Sequence, residues 1–167
     1  DTKLEFYSIF GLGKDIKNLK FMGLVGFIDP IRKEAIKSIK DSMNAGIKVL
    51  MITGDHPLTA FKIAKDLRLT NTYDEVATSD DIRAYLKKSD REFDEFVKSK
   101  KVFARVSSLE KLKIVESLKR QGEFVAVTGD GVNDAMALQA ANVGVSMGSG
   151  TDICGGVPFV FCSRDHF

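Results

Sequence analysis

The sequence has little of what marks several common protein classes. Its 167 residues include 2 cysteines, 3 prolines and no tryptophan. Cys154 and Cys162, both near the C-terminus, are too few for a disulfide framework or a four-ligand zinc site. A reducing compartment therefore fits this chain best.

Net charge of one sign and long apolar runs are also lacking. Lys and Arg number 25 against 23 Asp and Glu, which gives a formal net charge of +2. The large excess of basic residues that is typical of a nucleic-acid-binding protein is missing, so we expect no nucleic-acid partner. No apolar run approaches the roughly 20 residues that a membrane helix needs, and the first residues do not have the pattern of a signal peptide. As given, the chain is expected to be soluble.

What the sequence does contain is an alternation of short apolar strands and amphipathic helices. The predicted strands are rich in β-branched residues and cover 21–28, 47–52, 124–127 and 143–146. The predicted helices cover 31–45, 57–67, 109–120 and 132–141. This alternation predicts an α/β fold with a Rossmann-like parallel sheet and helices on both faces. The charged segment 74–101 is interpreted as surface helix and loop between two core units.

Two of the predicted strands end in the same tripeptide, Thr53-Gly54-Asp55 and Thr128-Gly129-Asp130. In a doubly wound sheet, ligands bind just beyond the carboxyl ends of the strands. Thr offers a hydroxyl donor, Gly lets a backbone amide approach an oxyanion, and Asp offers a hard oxygen for a cation. A single Thr-Gly-Asp tripeptide is an ordinary turn about as often as it is part of a binding site. Two copies behind apolar strands favour a site.

Three side chains that carry oxygen follow the second tripeptide closely. Asp130, Asn133 and Asp134 are predicted to lie together at the start of a helix, and such ligands suit Mg²⁺. Asp130 would bind the metal directly, while Asn133 and Asp134 would orient water or phosphate. A competing interpretation makes Asn133 or Asp134 a helix cap, which explains one of them but not all three.

Two charged residues elsewhere are further candidates. Lys111 lies near the start of a predicted helix, from which its ammonium could reach a phosphate held by the two loops. Spacing alone leaves this role open, because most lysines at such positions are solvated. Asp29 follows the strand predicted to end at Ile28, and its carboxylate is a candidate nucleophile for phosphoryl transfer.

Five motifs resemble, in order and approximate spacing, the phosphorylation domain of P-type cation-transporting ATPases, within the haloacid-dehalogenase superfamily. They are D-P-I-R from Asp29, M-I-T-G-D-H-P from Met51, F-A-R-V from Phe103 with Lys111 after it, T-G-D-G-V-N-D-A from Thr128, and M-G-S-G-T-D from Met147. The resemblance covers about residues 20–153. It is most similar to the type II pumps, which include the calcium pumps and the sodium/potassium pumps.

The resemblance implies a role for each matched residue. The residues implied to be catalytic are Lys111, which would neutralise phosphate charge, Thr53 and Gly54, which would contact the phosphoryl group, and Asp134. Asp130 is the implied Mg²⁺ ligand, and Asn133 would help Asp134 to hold the phosphate and the water shell of the metal. The residues implied to lie toward the nucleotide or the hinge are Asp55, Asp29, Arg32 and Asn133. In that scheme ATP is the substrate and Asp29 is not the nucleophile.

Other parts of the family pattern are absent from this sequence. The phosphorylated aspartate of the family lies in an Asp-Lys-Thr-Gly-Thr motif on the central strand, and that motif does not occur in these residues. We therefore expect an incomplete sheet in which 21–153 form part of the phosphorylation domain. Residues 1–20 would be the end of the nucleotide-binding domain or a connecting segment, and 154–167 an irregular tail. The isolated chain is expected to be inactive.

In a whole pump of this family, the partners of this chain would be the nucleotide-binding, actuator and transmembrane domains. The resemblance implies a cytoplasmic domain of an integral membrane protein that couples an aspartyl-phosphate to cation transport, with Ca²⁺ favoured. In isolation, the exposed sheet edges leave three outcomes open: residues 1–20 fill the gap, the edges pair in a dimer, or the chain is only marginally folded. Three alternatives stay open: a soluble phosphatase of the same superfamily that uses Asp29, an inert module that binds Mg²⁺ and phosphate, and a nucleotide-binding Rossmann or Walker enzyme. The third is the weakest, because no Gly-x-x-x-x-Gly-Lys-Ser/Thr motif occurs in these residues.

Overall fold

The computed structural model describes residues 4–11, 20–28, 30–129, 132–147 and 159–162. Its strands are β1 (Leu4–Gly11), β2 (Lys20–Ile28), β3 (Met51–Ile52), β4 (Val76–Thr78), β5 (Val102–Ala104), β6 (Ala126–Gly129), β7 (Val143–Met147) and β8 (Phe159–Cys162). Its α-helices are α1 (Lys33–Asn44), α2 (Pro57–Asp66), α3 (Ser79–Leu86), α4 (Asp90–Ser99), α5 (Ser108–Arg120) and α6 (Ala135–Ala140). None of these helices is both long and apolar enough to cross a lipid bilayer.

The strands form one hairpin and two parallel sheets. β1 and β2 pair antiparallel in the hairpin. β3, β5 and β4 form the first parallel sheet in that spatial order, and β6, β7 and β8 form the second. From β3 to β7, one or two helices connect each strand to the next, as parallel pairing requires. The α/β fold with parallel strands that the sequence predicts is confirmed.

Helices cover both faces of the first parallel sheet. Along a strand, successive side chains point to opposite faces. On β5, Val102 and Ala104 therefore pack in one buried cluster with residues of α2, and partly buried residues of α1 join it. Phe103, between them, packs in a second cluster with residues of α3, α4, α5 and α6. β5 is the central strand of this sheet, and all three of its residues are buried.

The second cluster also connects the two parallel sheets. Ile52 of β3 and Val127 of β6 both pack against it. Among the described residues, however, β3 pairs only with β5, and β6 pairs only with β7. Within that part of the chain, β3 and β6 each present an edge whose backbone groups form no ladder.

Three predicted strands differ in detail from the structure. β2 pairs antiparallel with β1, so the expectation that it joins the parallel sheet is wrong. β3 contains only Met51 and Ile52 of the predicted range 47–52, and Ile47 is 59% exposed. β6 is not buried on both faces, because Ala126 and Thr128 are exposed while Val127 between them is partly buried.

The interpretation of segment 74–101 as surface helix and loop is wrong. This segment forms β4, α3 and α4, and it contributes Ile82, Phe93 and Val97 to the core, each at most 2% exposed. The many charged residues of α4 lie on one side of the helix, while its apolar residues recur at helical spacing on the other. High average charge therefore concealed a regular amphipathic pattern.

Parts of both ends of the chain also form strands. β1 lies within residues 1–20, which we expected to be the end of the nucleotide-binding domain or a connecting segment. Four residues of the expected irregular tail, Phe159–Cys162, form β8 and pair in parallel with β7. The other residues of that tail lie outside the described residues.

Phe103 should be the most costly aromatic side chain to truncate in the first sheet. It is fully buried where helices and sheet meet, so Phe103→Ala is expected to lower the free energy of unfolding by about 3–5 kcal/mol. Phe124→Ala is the matched control: its side chain is 77% exposed, and we expect a change within about 0.5 kcal/mol. Urea unfolding measures both. Equal losses for the two variants would contradict the assigned core.

Candidate functional site

The first Thr-Gly-Asp tripeptide forms a fixed loop at the carboxyl end of β3. Inside the loop, the amide of Asp55 donates to Thr53 Oγ1 at 3.1 Å. The amide of Arg105 donates to the Asp55 carbonyl at 3.1 Å, and the amide of Val106 donates to the Thr53 carbonyl at the same distance. Arg105 has a φ of 55°, which residues other than glycine seldom adopt. The loop after β3 is therefore held by the loop after β5.

The loop after β5 leads directly into α5, the helix that carries Lys111. Ser107 caps this helix: its hydroxyl accepts from the Glu110 amide at 3.4 Å, and its own amide donates to Glu110 Oε2 at 2.8 Å. Such a capping box fixes where a helix begins. The amide of Lys111 donates to the Ser107 carbonyl at 2.9 Å, so Lys111 lies within the first ordered turns of α5.

Lys111 reaches from α5 to the residue that precedes α6. Its Nζ lies 2.6 Å from Asp134 Oδ1, and each of the two side chains is only 16% exposed. A partly buried pair is screened by salt much less than an ion pair on the open surface. Asp134 occupies the N-cap position of α6, but its side chain makes no capping hydrogen bond there.

Gly129, the last residue of β6, leaves room for Asp134. A Cβ atom at Gly129 would lie 2.6 Å from Asp134 Cβ and 2.8 Å from Asp134 Oδ2. At Gly54, by contrast, no heavy atom lies within 4 Å of the corresponding position. The two glycines of the repeated tripeptide therefore have different surroundings: Gly129 allows a carboxylate to approach the strand, and Gly54 faces open space.

These contacts connect the carboxyl ends of three strands. The loop after β3 is bonded to the loop after β5, α5 begins at the end of that second loop, and Lys111 of α5 pairs with Asp134 after β6. Thr53, Gly54, Asp55, Lys111 and Asp134, which the sequence singled out, therefore belong to one connected region. Binding sites of doubly wound sheets lie at this edge.

The remaining predicted site residues are described less completely. Asp130, the predicted metal ligand, and Asp29 lie outside the described residues. Asn133 is exposed in a short 3₁₀ helix that precedes α6. Arg32 is exposed and occupies the N-cap position of α1. Within the same part of the chain, no group of three His, Cys, Asp or Glu side chains is arranged to hold a metal ion.

Glu110 is a residue of this region that sequence reasoning missed. It is 4% exposed, and its Oε1 accepts from Ser79 Oγ at 2.7 Å and from Arg83 Nε at 2.8 Å. Burial disfavours the charged form, but the hydrogen bonds from Ser107, Ser79 and Arg83 outweigh it and lower the pKa of Glu110 to about 2. The Ser107-x-x-Glu110 spacing could have revealed the cap. Nothing in the sequence reveals the contacts with α3.

The α/β fold with parallel strands agrees with the family comparison. The chain belongs to the haloacid dehalogenase-like hydrolase family, whose model matches residues 2–142. It is 45% identical over 152 residues to calcium-transporting ATPase 1 of Bacillus cereus, which covers 90% of this chain and 17% of that protein. It is 41% identical over 170 residues to P-type sodium-transporting ATPase4 of Toxoplasma gondii, which covers 95% of this chain and 13% of that protein.

A solved structure supports the same assignment. The catalytic domain of the CPx-ATPase CopB-B, studied for its conformational changes upon nucleotide binding, superimposes with a TM-score of 0.51 at 26% identity. The superposition covers 79% of this chain and 40% of that one. The resemblance to P-type cation-transporting ATPases that the motifs predict is confirmed. The chain spans less than a fifth of the length of the two curated relatives.

Gly129 should be intolerant of a side chain, whereas Gly54 should tolerate one. Gly129→Ala is expected to push Asp134 away from Lys111 and to lower the free energy of unfolding by about 1–3 kcal/mol. Gly54→Ala, the matched control, places its methyl group in open space and should change stability by less than about 0.5 kcal/mol. Chemical denaturation of both variants tests this. A neutral Gly129→Ala would mean that Asp134 does not pack against β6.

Proposed function

We propose that this chain is the Mg²⁺- and phosphate-binding part of the phosphorylation domain of a P-type cation-transporting ATPase. The observation that carries the proposal is the ion pair of Lys111 with Asp134, because the helix of Lys111 begins just after the residues that bond the Thr53-Gly54-Asp55 loop. A lysine held at this edge with little water supplies positive charge where a transferred phosphoryl group gathers negative charge. Lys111 would then stabilise the equatorial oxygens of that group.

The loop after β3 supplies the neutral contacts to the phosphoryl group in this proposal. Gly54 is exposed with open space at its Cβ position, so its amide can meet an anion without a steric clash. Thr53 adds a hydroxyl donor, and the bonds to Arg105 and Val106 hold the loop in place before any ligand arrives. The residues that we place toward ATP and the hinge are Asp55, Asp29, Arg32 and Asn133.

The oxygen donors near β6 fit Mg²⁺ rather than a softer metal. The Asp134 carboxylate packs against Gly129, and Asp130 is the next residue of the chain after Gly129. Carboxylate and amide oxygens are ligands that Mg²⁺ accepts together with water and phosphate oxygens. We assign Asp130 as the direct ligand and Asp134 and Asn133 as residues that orient the water shell. When bound, the ion would neutralise charge on the phosphate oxygens.

The nucleophilic aspartate would come from a strand that this sequence does not contain. β3 and β6 pack against one core cluster through Ile52 and Val127, and each has an unpaired edge among the described residues. A parallel strand carrying Asp-Lys-Thr-Gly-Thr, placed between them, would end beside Lys111. Without that strand, the same edges are where a second copy of the chain would pair.

The phosphatase alternative, with Asp29 as nucleophile, is the weaker interpretation. β2, which directly precedes Asp29, pairs antiparallel with β1. A nucleophile at the edge near Lys111 needs a parallel strand that ends there, and β2 is not such a strand. We therefore propose that Asp29 contacts the nucleotide or hinge instead.

For the whole protein, we propose transport of a cation across a membrane, driven by an aspartyl-phosphate that ATP forms and water hydrolyses. This chain would lie on the cytoplasmic side and work with nucleotide-binding, actuator and transmembrane domains. Ca²⁺ is the favoured ion, because calcium-transporting ATPases of Bacillus cereus, Bacillus subtilis and Homo sapiens are among the similar curated proteins. A sodium-transporting ATPase is also among them, so the residues of this domain do not decide between the two ions.

Asp130→Asn should remove the linked binding of Mg²⁺ and phosphate. Calorimetry of the full chain with Mg²⁺ and inorganic phosphate is expected to give heat of binding for the natural sequence and at least a tenfold weaker Mg²⁺ affinity for the variant, about 1.4 kcal/mol. Asp66→Asn, an exposed aspartate at the end of α2, is the control and should bind as the natural chain does. Equal binding by all three proteins would remove Asp130 from the site.

The chain alone should not form a phosphoenzyme. Incubation with γ-labelled ATP and Mg²⁺, followed by an acid quench, is expected to leave no label on the protein, because the Asp-Lys-Thr-Gly-Thr motif is absent. Treatment with hydroxylamine identifies an acyl phosphate if label is found. Label that hydroxylamine releases would contradict the proposal that a strand outside this sequence supplies the nucleophile. It would favour Asp29 as the nucleophile instead.

A further inference from the structure

Glu110 is more deeply buried and more widely bonded than a helix cap needs to be. The helices α3, α4 and α5 each begin with a capping box, whose acidic members are Asp81, Glu92 and Glu110. Asp81 and Glu92 are exposed, and each bonds its own N-cap residue. The side chain of Glu110, by contrast, is only 6% exposed.

The additional partners of Glu110 belong to a different helix. Ser79 and Arg83 are both residues of α3, and both donate to Glu110 Oε1. Oε2 accepts from the Ser107 amide, so both carboxylate oxygens are engaged. A buried charge is costly unless its hydrogen bonds are satisfied. This arrangement therefore fixes the first turn of α5 against the first turns of α3.

The segment fixed in this way is the one that carries Lys111. At one end, the amides of residues 105 and 106 are bonded to the loop after β3. At the other end, Glu110 anchors the helix, and Lys111 follows it directly. The Lys111 ammonium is at the end of a flexible side chain, yet its Nζ meets Asp134 Oδ1 at 2.6 Å. A small rotation of the first turn of α5 would move that ammonium, and displacements of about 1 Å are large for such a site.

We propose that Glu110, held by Ser79 and Arg83, is a positioning residue that keeps the Lys111 ammonium at Asp134 and thereby at the phosphate edge. The phosphate part of this statement rests on the proposed function, but the positioning of Lys111 does not. The hydrogen-bond partners of Glu110 among the described residues are Ser79, Arg83 and Ser107, and Asp134 is not one of them. Its influence on the site passes through the helix backbone.

A double-mutant cycle in the full 167-residue chain tests this role. Asp134→Asn and Glu110→Gln are made singly and together, and urea unfolding gives the unfolding equilibrium constant of each protein. If Glu110 positions Lys111, the ion pair is already weakened in Glu110→Gln, so Asp134→Asn should cost less in that background. We expect the two changes to be non-additive by about threefold or more in that constant.

Glu92→Gln is the matched control, because it removes the corresponding capping-box carboxylate from α4, whose hydrogen bonds go to Ser89 of its own helix. Its cycle with Asp134→Asn should be additive within a factor of about two. If Glu110→Gln does not fold, Ser79→Ala removes one donor to Glu110 Oε1 and should show the same sign of coupling with Asp134→Asn.

Additivity of Asp134→Asn with both Glu110→Gln and Ser79→Ala would overturn the positioning role, since a merely structural cap lowers stability without coupling to Asp134. Coupling of Glu92→Gln equal to that of Glu110→Gln would overturn it as well. The cycle uses no ligand, so either failure leaves the Mg²⁺ and phosphate test of the proposed function untouched. If that binding test failed, the result of the double-mutant cycle would still stand.

Discussion

The rest of the site depends on the ion pair between Lys111 and Asp134. The first parallel sheet and the second share no backbone hydrogen bond among the described residues. Lys111 follows the strand at the centre of one sheet, and Asp134 follows the edge strand of the other. The core cluster that contains Phe103 packs the two sheets together, and the contact at 2.6 Å between Lys111 and Asp134 joins the two halves at the site itself.

Several local features prepare that contact. Gly129 lets Asp134 approach β6, and the capping box of α5 sets where the helix that carries Lys111 begins. The bonds from residues 105 and 106 hold the loop after β3 against the start of the same helix. A phosphate that binds here would meet groups already held in place, so less of its binding energy would be lost in ordering them.

The sequence predicted the parallel α/β fold, because apolar strands and amphipathic helices alternate, and Pro and Gly residues mark where helices begin and end. It also singled out Lys111 and Asp134, although spacing alone did not show that they meet. Segment 74–101 was misjudged because its charge hid the apolar face of α4. The buried contacts of Glu110 with Ser79 and Arg83 join residues about 30 positions apart, and only the folded chain brings such residues together. The antiparallel pairing of β2 with β1 could not be predicted either, because the composition of a strand does not specify its partner.

The most direct test of this account is an NMR titration that follows the Gly54 amide and the Lys111 ammonium in the same sample. Inorganic phosphate is added to the full chain in the presence of Mg²⁺. One shared anion site predicts that both signals shift with a single midpoint, and that the Gly54 shift disappears in Lys111→Met. Two different midpoints, or a Gly54 shift that persists unchanged in Lys111→Met, would contradict the claim that the loop after β3 and the lysine of α5 bind one anion.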